Sequence, residues 1–112
     1  MKVYALKSCD TCRKAVKALK EAGQAFELID VRADGLPRED IARIVEAVGY
    51  ESALNRRSTT WRALDAPDKA GLDNVKAVQL IENHPTLMKR PAILEGDRVT
   101  VGWKADAQDA WL

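Results

Sequence analysis

The chain has 112 residues, 46% hydrophobic and 31% charged, which suits a soluble globular protein able to bury one core without disulfide or metal staples. Its 18 basic and 17 acidic side chains leave a formal charge of +1, which argues against a strong non-specific grip on nucleic acid or on an anionic membrane. The start, Met1-Lys2-Val3-Tyr4-Ala5-Leu6-Lys7, is too short and interrupted for a secretory signal, and no apolar run approaches the roughly 18–20 residues that span a bilayer. A single domain over residues 1–112 is therefore expected, monomeric and cytoplasmic. In that compartment disulfides are transient, catalytic or sensory rather than structural, so the two cysteines call for a chemical reason.

Residues 2–6 form a short apolar segment ending at Lys7-Ser8 and read as a first strand. From Thr11 to about Ala22, Cys12, Ala15, Val16, Leu19 and Ala22 recur at three- and four-residue steps, a helical stripe that Gly23 is placed to stop. Ala25 to Val31 reads as a second strand, with Phe26 and Leu28 alternating against Glu27. Strand, helix, strand at this spacing is a βαβ unit, whose two strands lie parallel. Arg32-Ala33-Asp34-Gly35 is a loop; Pro37 then opens a helix with Ile41, Ile44, Val45 and Val48 on its buried face, and Gly49 closes it. Residues 50–72 suggest short helical pieces joined by loops, and Leu72, Val75, Val78 and Ile81 mark a further helix ending near Asn83-His84-Pro85. Ala92–Glu95 and Arg98–Val101 flank Gly96-Asp97, a two-residue hairpin signal, and a short helix over Ala105–Trp111 ends the chain. This order is that of an α/β, thioredoxin-like fold: a mixed four-stranded sheet built βαβ then ββα, with a helical insertion at about residues 36–84.

Cys9-Asp10-Thr11-Cys12 lies between the first strand and the first helix, and that position gives it chemistry. First-turn N–H groups have no partner within the helix and carry about half a unit of positive charge. A thiolate placed there is favoured over the thiol, and comparable sites titrate at roughly 3.5–7.5 against about 8.5 for a free cysteine. Lys7, Arg13 and Lys14 add positive potential and Asp10 opposes it, while Thr11 tunes the thiol by hydrogen bonding. Cys9, before the helix, is the candidate nucleophile; Cys12, in the first turn and on the apolar stripe, is the buried resolving thiol. Zinc needs four ligands, and the chain offers no third cysteine and one distant histidine, His84, so no metal is expected. Two inert cysteines are the plain alternative. His84 itself reads as a helix-end residue, Trp61 as packing, and Trp103 and Trp111 as cover for the sheet.

Three blocks carry a family resemblance. Ser8-Cys9-Asp10-Thr11-Cys12-Arg13-Lys14-Ala15 resembles the active-site signature of the glutaredoxin-coupled arsenate reductases, the Spx regulators and the YffB-like proteins. Leu54-Asn55-Arg56-Arg57-Ser58-Thr59-Thr60-Trp61-Arg62 resembles the central motif of the YffB-like branch, and Pro85-Thr86-Leu87-Met88-Lys89-Arg90-Pro91 the family's late arginine–proline motif. The resemblance implies that Cys9 is the catalytic cysteine, that Arg57 and Arg90 bind an oxyanion or carboxylate, and that Pro91 is cis. It implies a thiol–disulfide oxidoreductase with no bound cofactor. Glutathione is the expected co-substrate, glutathione or a glutaredoxin the partner, and a disulfide or oxyanion the substrate. Guanidinium forks converging on a helix start suit such anions, and glutathione offers two carboxylates and a thiol.

Two departures bear on the alternatives. Arsenate reductases of this type carry a third arginine where this chain reads Val99-Thr100-Val101-Gly102-Trp103, and they have a serine at the position of Cys12. Spx regulators do carry a Cys-x-x-Cys pair, used as a redox switch on proteins that bind RNA polymerase, so a redox-gated regulator stands beside true arsenate reduction as an alternative.

Overall fold

The computed structural model describes residues 1–112. Four short strands, β1 (Lys2–Ala5), β2 (Glu27–Asp30), β3 (Ala92–Glu95) and β4 (Arg98–Val101), form one sheet in the order β2-β1-β3-β4. β1 runs parallel to β2 and antiparallel to β3, and β3 pairs antiparallel with β4 across the Gly96-Asp97 turn. The mixed sheet and the thioredoxin-like order expected from the sequence are both present. The hairpin turn uses Gly96 at a φ of 58°, a left-handed conformation that costs glycine nothing.

Between β1 and β2 lies α1 (Asp10–Glu21), and between β2 and β3 lie α2 (Arg38–Val48), α3 (Tyr50–Ala53), α4 (Thr59–Ala63), α5 (Ala66–Lys69), α6 (Asn74–Asn83) and a 3-10 turn at Pro85–Leu87; α7 (Ala105–Trp111) ends the chain. Side chains alternate across β1, so the sheet has two buried faces. Tyr4, Ala92 and Leu94 face the insertion, where Ile41, Ile44 and Val45 of α2 meet Ala77, Val78, Leu80 and Ile81 of α6. Val3, Ala5 and Ile93 face the opposite layer, made by Cys12 and Leu19 of α1 and Trp111 of α7. Trp111 is pinned by its indole N–H to Thr100 Oγ1 at 2.8 Å, and Arg98 lies 4.5 Å from the ring centroid.

Three details differ from the sequence pattern. Val75, placed on the buried stripe of the helix that became α6, is 65% exposed; the inward stripe is Ala77, Val78, Leu80 and Ile81. Helix α6 starts at Asn74, capped by Asp73, so Val75 falls in the first turn, facing away from the sheet. Leu28 is 49% exposed although it shares the α1 face with its register partner Val3, because β2 is an edge strand with a neighbouring strand on one side only. It lines an open cleft of about 750 Å³ between α1 and β2. Asp40, in the first turn of α2, is buried and accepts hydrogen bonds from the Tyr4 hydroxyl and from Lys2 Nζ at 3.3 Å. Burial and this carboxylate together push the Tyr4 phenol above its ordinary range.

Candidate active site

The Cys9 backbone is extended (φ −89°, ψ 117°) and occupies the N-cap of α1, the position where Ser, Thr, Asp or Asn usually accepts from the second or third helical N–H. Those donors here belong to Thr11 and Cys12. The neutral thiol makes no capping hydrogen bond, but a thiolate in the same place draws on both. Burial alone raises the Cys9 pKa; the Cys12 backbone N–H, the Cys12 thiol, the Arg90 charge and the Thr11 N–H outweigh it, so the thiol titrates below its ordinary value.

Cys12 is 2% exposed and packs with Val3, Ala5 and Ile93. Burial pushes it up to about 12, and the bond to Cys9 and the Cys9 charge add to the rise, while the Leu6 backbone and Arg90 pull it down. The two cysteines are free in this structure, one half-buried and one buried. Thr11 is exposed, and Arg13, also exposed, is ion-paired with Asp10.

Arg90 stands immediately before Pro91, and the bond between them is cis. Its Nη1 donates to the carbonyls of Thr86 at 2.8 Å and Met88 at 3.3 Å, which fixes the guanidinium. Its Nε is buried and has no hydrogen-bond partner. A buried donor left unpaired costs roughly 1–3 kcal/mol, so this one is poised to meet an acceptor.

Arg57 is exposed, in a turn over Asn55–Ser58 where its backbone N–H donates to Asn55 Oδ1 at 3.2 Å, and its guanidinium forms no ion pair. The segments carrying Arg57 and Arg90 are stitched together: Leu54 pairs with Met88 in an isolated antiparallel bridge, with Asn55 N–H on the Leu87 carbonyl at 2.7 Å and Lys89 N–H on the Ala53 carbonyl at 2.8 Å. Of the charged groups, Arg90 exerts the largest pull on Cys9. Thr86, which holds Arg90 by its carbonyl and Thr60 by its hydroxyl (2.8 Å), gave no signal in sequence because its first role uses only the backbone. No group of three or more His, Cys, Asp or Glu residues is arranged to hold a metal ion.

A thioredoxin-like sheet with a cysteine at the start of its first helix and a late arginine immediately before a cis-proline is the architecture of the arsenate reductase-related proteins. The chain belongs to the ArsC family, whose model matches residues 4–111. It is similar to an uncharacterized protein of Haemophilus influenzae, 39% identical over 101 residues covering 90% of this chain and 89% of that one. It is also similar to the global transcriptional regulator Spx of Streptococcus agalactiae, 32% identical over 94% of this chain and 77% of the regulator. Among solved structures, a YffB protein superposes with a TM-score of 0.92 at 40% identity, covering 99% of this chain and 97% of that one. The arsenate reductase of Vibrio cholerae, at 19% identity and a TM-score of 0.82 over 100% of this chain and 98% of that one, shares the fold.

Proposed function

We propose that the protein is a glutathione-linked thiol–disulfide reductase in which Cys9 attacks and Cys12 resolves. The observation that carries this reading is the placement of the pair, Cys9 half-buried at the N-cap of α1 and Cys12 buried in the core, and the opposed directions of their titration agree with it. Of the two thiols, Cys9 is the readier nucleophile. Its thiolate attacks one sulfur of a disulfide, forming a mixed disulfide and releasing the other half as a thiolate that takes up a proton. This step removes the negative charge that adds to burial in keeping Cys12 protonated. Arg90, which acts on both thiols, then favours the Cys12 thiolate alone. Cys12 attacks Cys9 Sγ, expels the reduced product and leaves a Cys9–Cys12 disulfide, and two glutathione molecules return the pair to dithiol as glutathione disulfide. Where glutathione attacks the mixed disulfide first, it resolves it instead.

The unpaired Arg90 Nε–H supports an anionic partner at this point, as a carboxylate of glutathione would be. Arg57, on the turn stitched to the Arg90 segment, is proposed to orient the same partner. Arsenate reduction is less well supported. The place of a third arginine falls at Gly102 or its neighbour, and the Lys89 stem lies 3.9 Å from where a Gly102 side chain would begin.

The test is alkylation rate against pH for wild type, Cys9→Ser and Cys12→Ser, followed by turnover of a glutathionylated peptide. Cys9 should react at a midpoint below about 8.5 and Cys12 should resist alkylation until near pH 12 or unfolding. Cys9→Ser should lose turnover, and Cys12→Ser should accumulate the mixed disulfide. A Cys9 midpoint at or above that of a free cysteine would sink the enzyme reading.

The second reading, a redox-gated regulator that binds RNA polymerase, is supported by the similarity to Spx regulators over 94% of this chain. It requires polymerase affinity that changes with the state of the pair. Equal binding by wild type and by a variant with both cysteines replaced by serine removes it.

A further inference from the structure

Trp61 is half-buried in α4, its ring packed at the edge of the larger core and its surroundings positive. The Arg56 guanidinium lies 5.9 Å from the ring centroid and Lys69 Nζ 5.5 Å, both within the range in which a cation is drawn to an indole face. Arg57 and Arg62, both exposed, flank the ring in sequence, and none of these four cations forms an ion pair with a carboxylate of the chain. The carboxylates of the same stretch, Asp65 and Asp68, lie on the loop into α5 and on α5 itself and are likewise unpaired. Residues 56–69 thus carry four cations against two carboxylates on a protein whose charges otherwise nearly cancel.

The patch is coupled to the thiol site by short contacts. Thr60, next to Trp61, shares a hydrogen bond with the Thr86 hydroxyl at 2.8 Å, and the Thr86 carbonyl holds Arg90 Nη1 at 2.8 Å. Arg90 in turn acts on Cys9. A chain bound across Trp61 is therefore anchored next to a residue, Thr60, that is two hydrogen bonds from the Arg90 guanidinium. The half-buried indole holds Arg56 and Lys69 together, and the gathered cations offer the charge complement of an acidic peptide.

We infer that the Trp61 surface, with Arg56, Arg62 and Lys69, docks an acidic polypeptide segment and so selects the disulfide-bearing protein presented to Cys9. The inference rests on the proposed reductase reading for its link to Cys9, but binding itself does not depend on turnover. Exposed charges of this kind act mainly on association rate and salt dependence.

The test uses the full chain and two peptides of equal length, one flanked by glutamates and one by glutamines. In thiol-free form they are titrated against isotope-labelled protein, following the Trp61 indole N–H by NMR. The acidic peptide should move that resonance and bind about tenfold more tightly than the neutral one at low salt, the difference shrinking as salt rises. Arg56→Glu with Lys69→Glu should bring the ratio to about one, and Arg62→Glu, which leaves the ring contacts in place, should lower it by about two- to threefold. The same peptides, carrying a glutathionylated cysteine, are then offered to Cys12→Ser protein and the mixed disulfide measured. Equal binding of the two peptides, or a preference that survives charge reversal, overturns the docking surface. Selective binding with no mixed disulfide from either peptide keeps the surface and overturns the reductase reading instead.

Discussion

The two faces of the sheet divide the work unequally. The insertion face buries a fifteen-residue cluster between α2, α6 and the strands; the face carrying the thiols buries six, one of them Cys12. Most of the apolar burial that holds the fold thus lies away from the chemistry, and the thinner layer leaves one cysteine at the helix start half-exposed. At the edge strand the thinness of this layer continues as the open cleft beside Leu28.

This contrast is broken most directly by Ile81→Ala. Ile81 is fully buried in the large cluster, so the change should cost about 2–5 kcal/mol, read as a lowered denaturant midpoint, while the Cys9 titration of the folded protein stays where it was. A shift in that titration would mean the two faces are mechanically coupled. Next in size is Arg90→Gln, which removes charged donors from the Thr86 and Met88 carbonyls. About 1.5–3 kcal/mol of stability should go, and the Cys9 titration should move upward because its leading cation is lost. An unchanged Cys9 midpoint would assign the activation to the helix start alone. The smallest effect is expected from Leu28→Thr: the side chain is 49% exposed on an edge strand, so stability should change by no more than about 0.5 kcal/mol. A larger loss would show that the cleft is filled more tightly than its walls suggest.

Much of the fold was legible because short-range signals agreed. Gly23 and Gly49 ended helices where their positive φ values of 74° and 82° now lie, Pro37 sits at the N-cap of α2, and Gly96-Asp97 turns the hairpin. The sequence pattern places Val75 on the inward stripe of α6 and the structure does not, because three- and four-residue steps fit two adjacent helical faces and only packing against α2 chooses between them. Asp40 gave no signal, since a carboxylate in a first helical turn is ordinary and its partner Tyr4 lies 36 positions away. The cysteines were legible from their place before a helix; the patch at Trp61 was not, because Lys69 reaches the ring only through the bend between α4 and α5.

What the sequence by itself determined is local: where helices start and stop, which strand pair is a hairpin, and that one cysteine precedes a helix while the other enters its apolar stripe. These follow from backbone sterics and from periodicity within a few residues. What only the tertiary structure decided is which distant groups act on the thiols and how far. Arg90 comes within electrostatic reach of Cys9 because the 53–55 and 87–89 segments pair and Thr86 holds the guanidinium. Cys12 is driven to about 12 because strands from both ends of the chain close over it. Desolvation and charge act through space, and a sequence orders residues only along the chain.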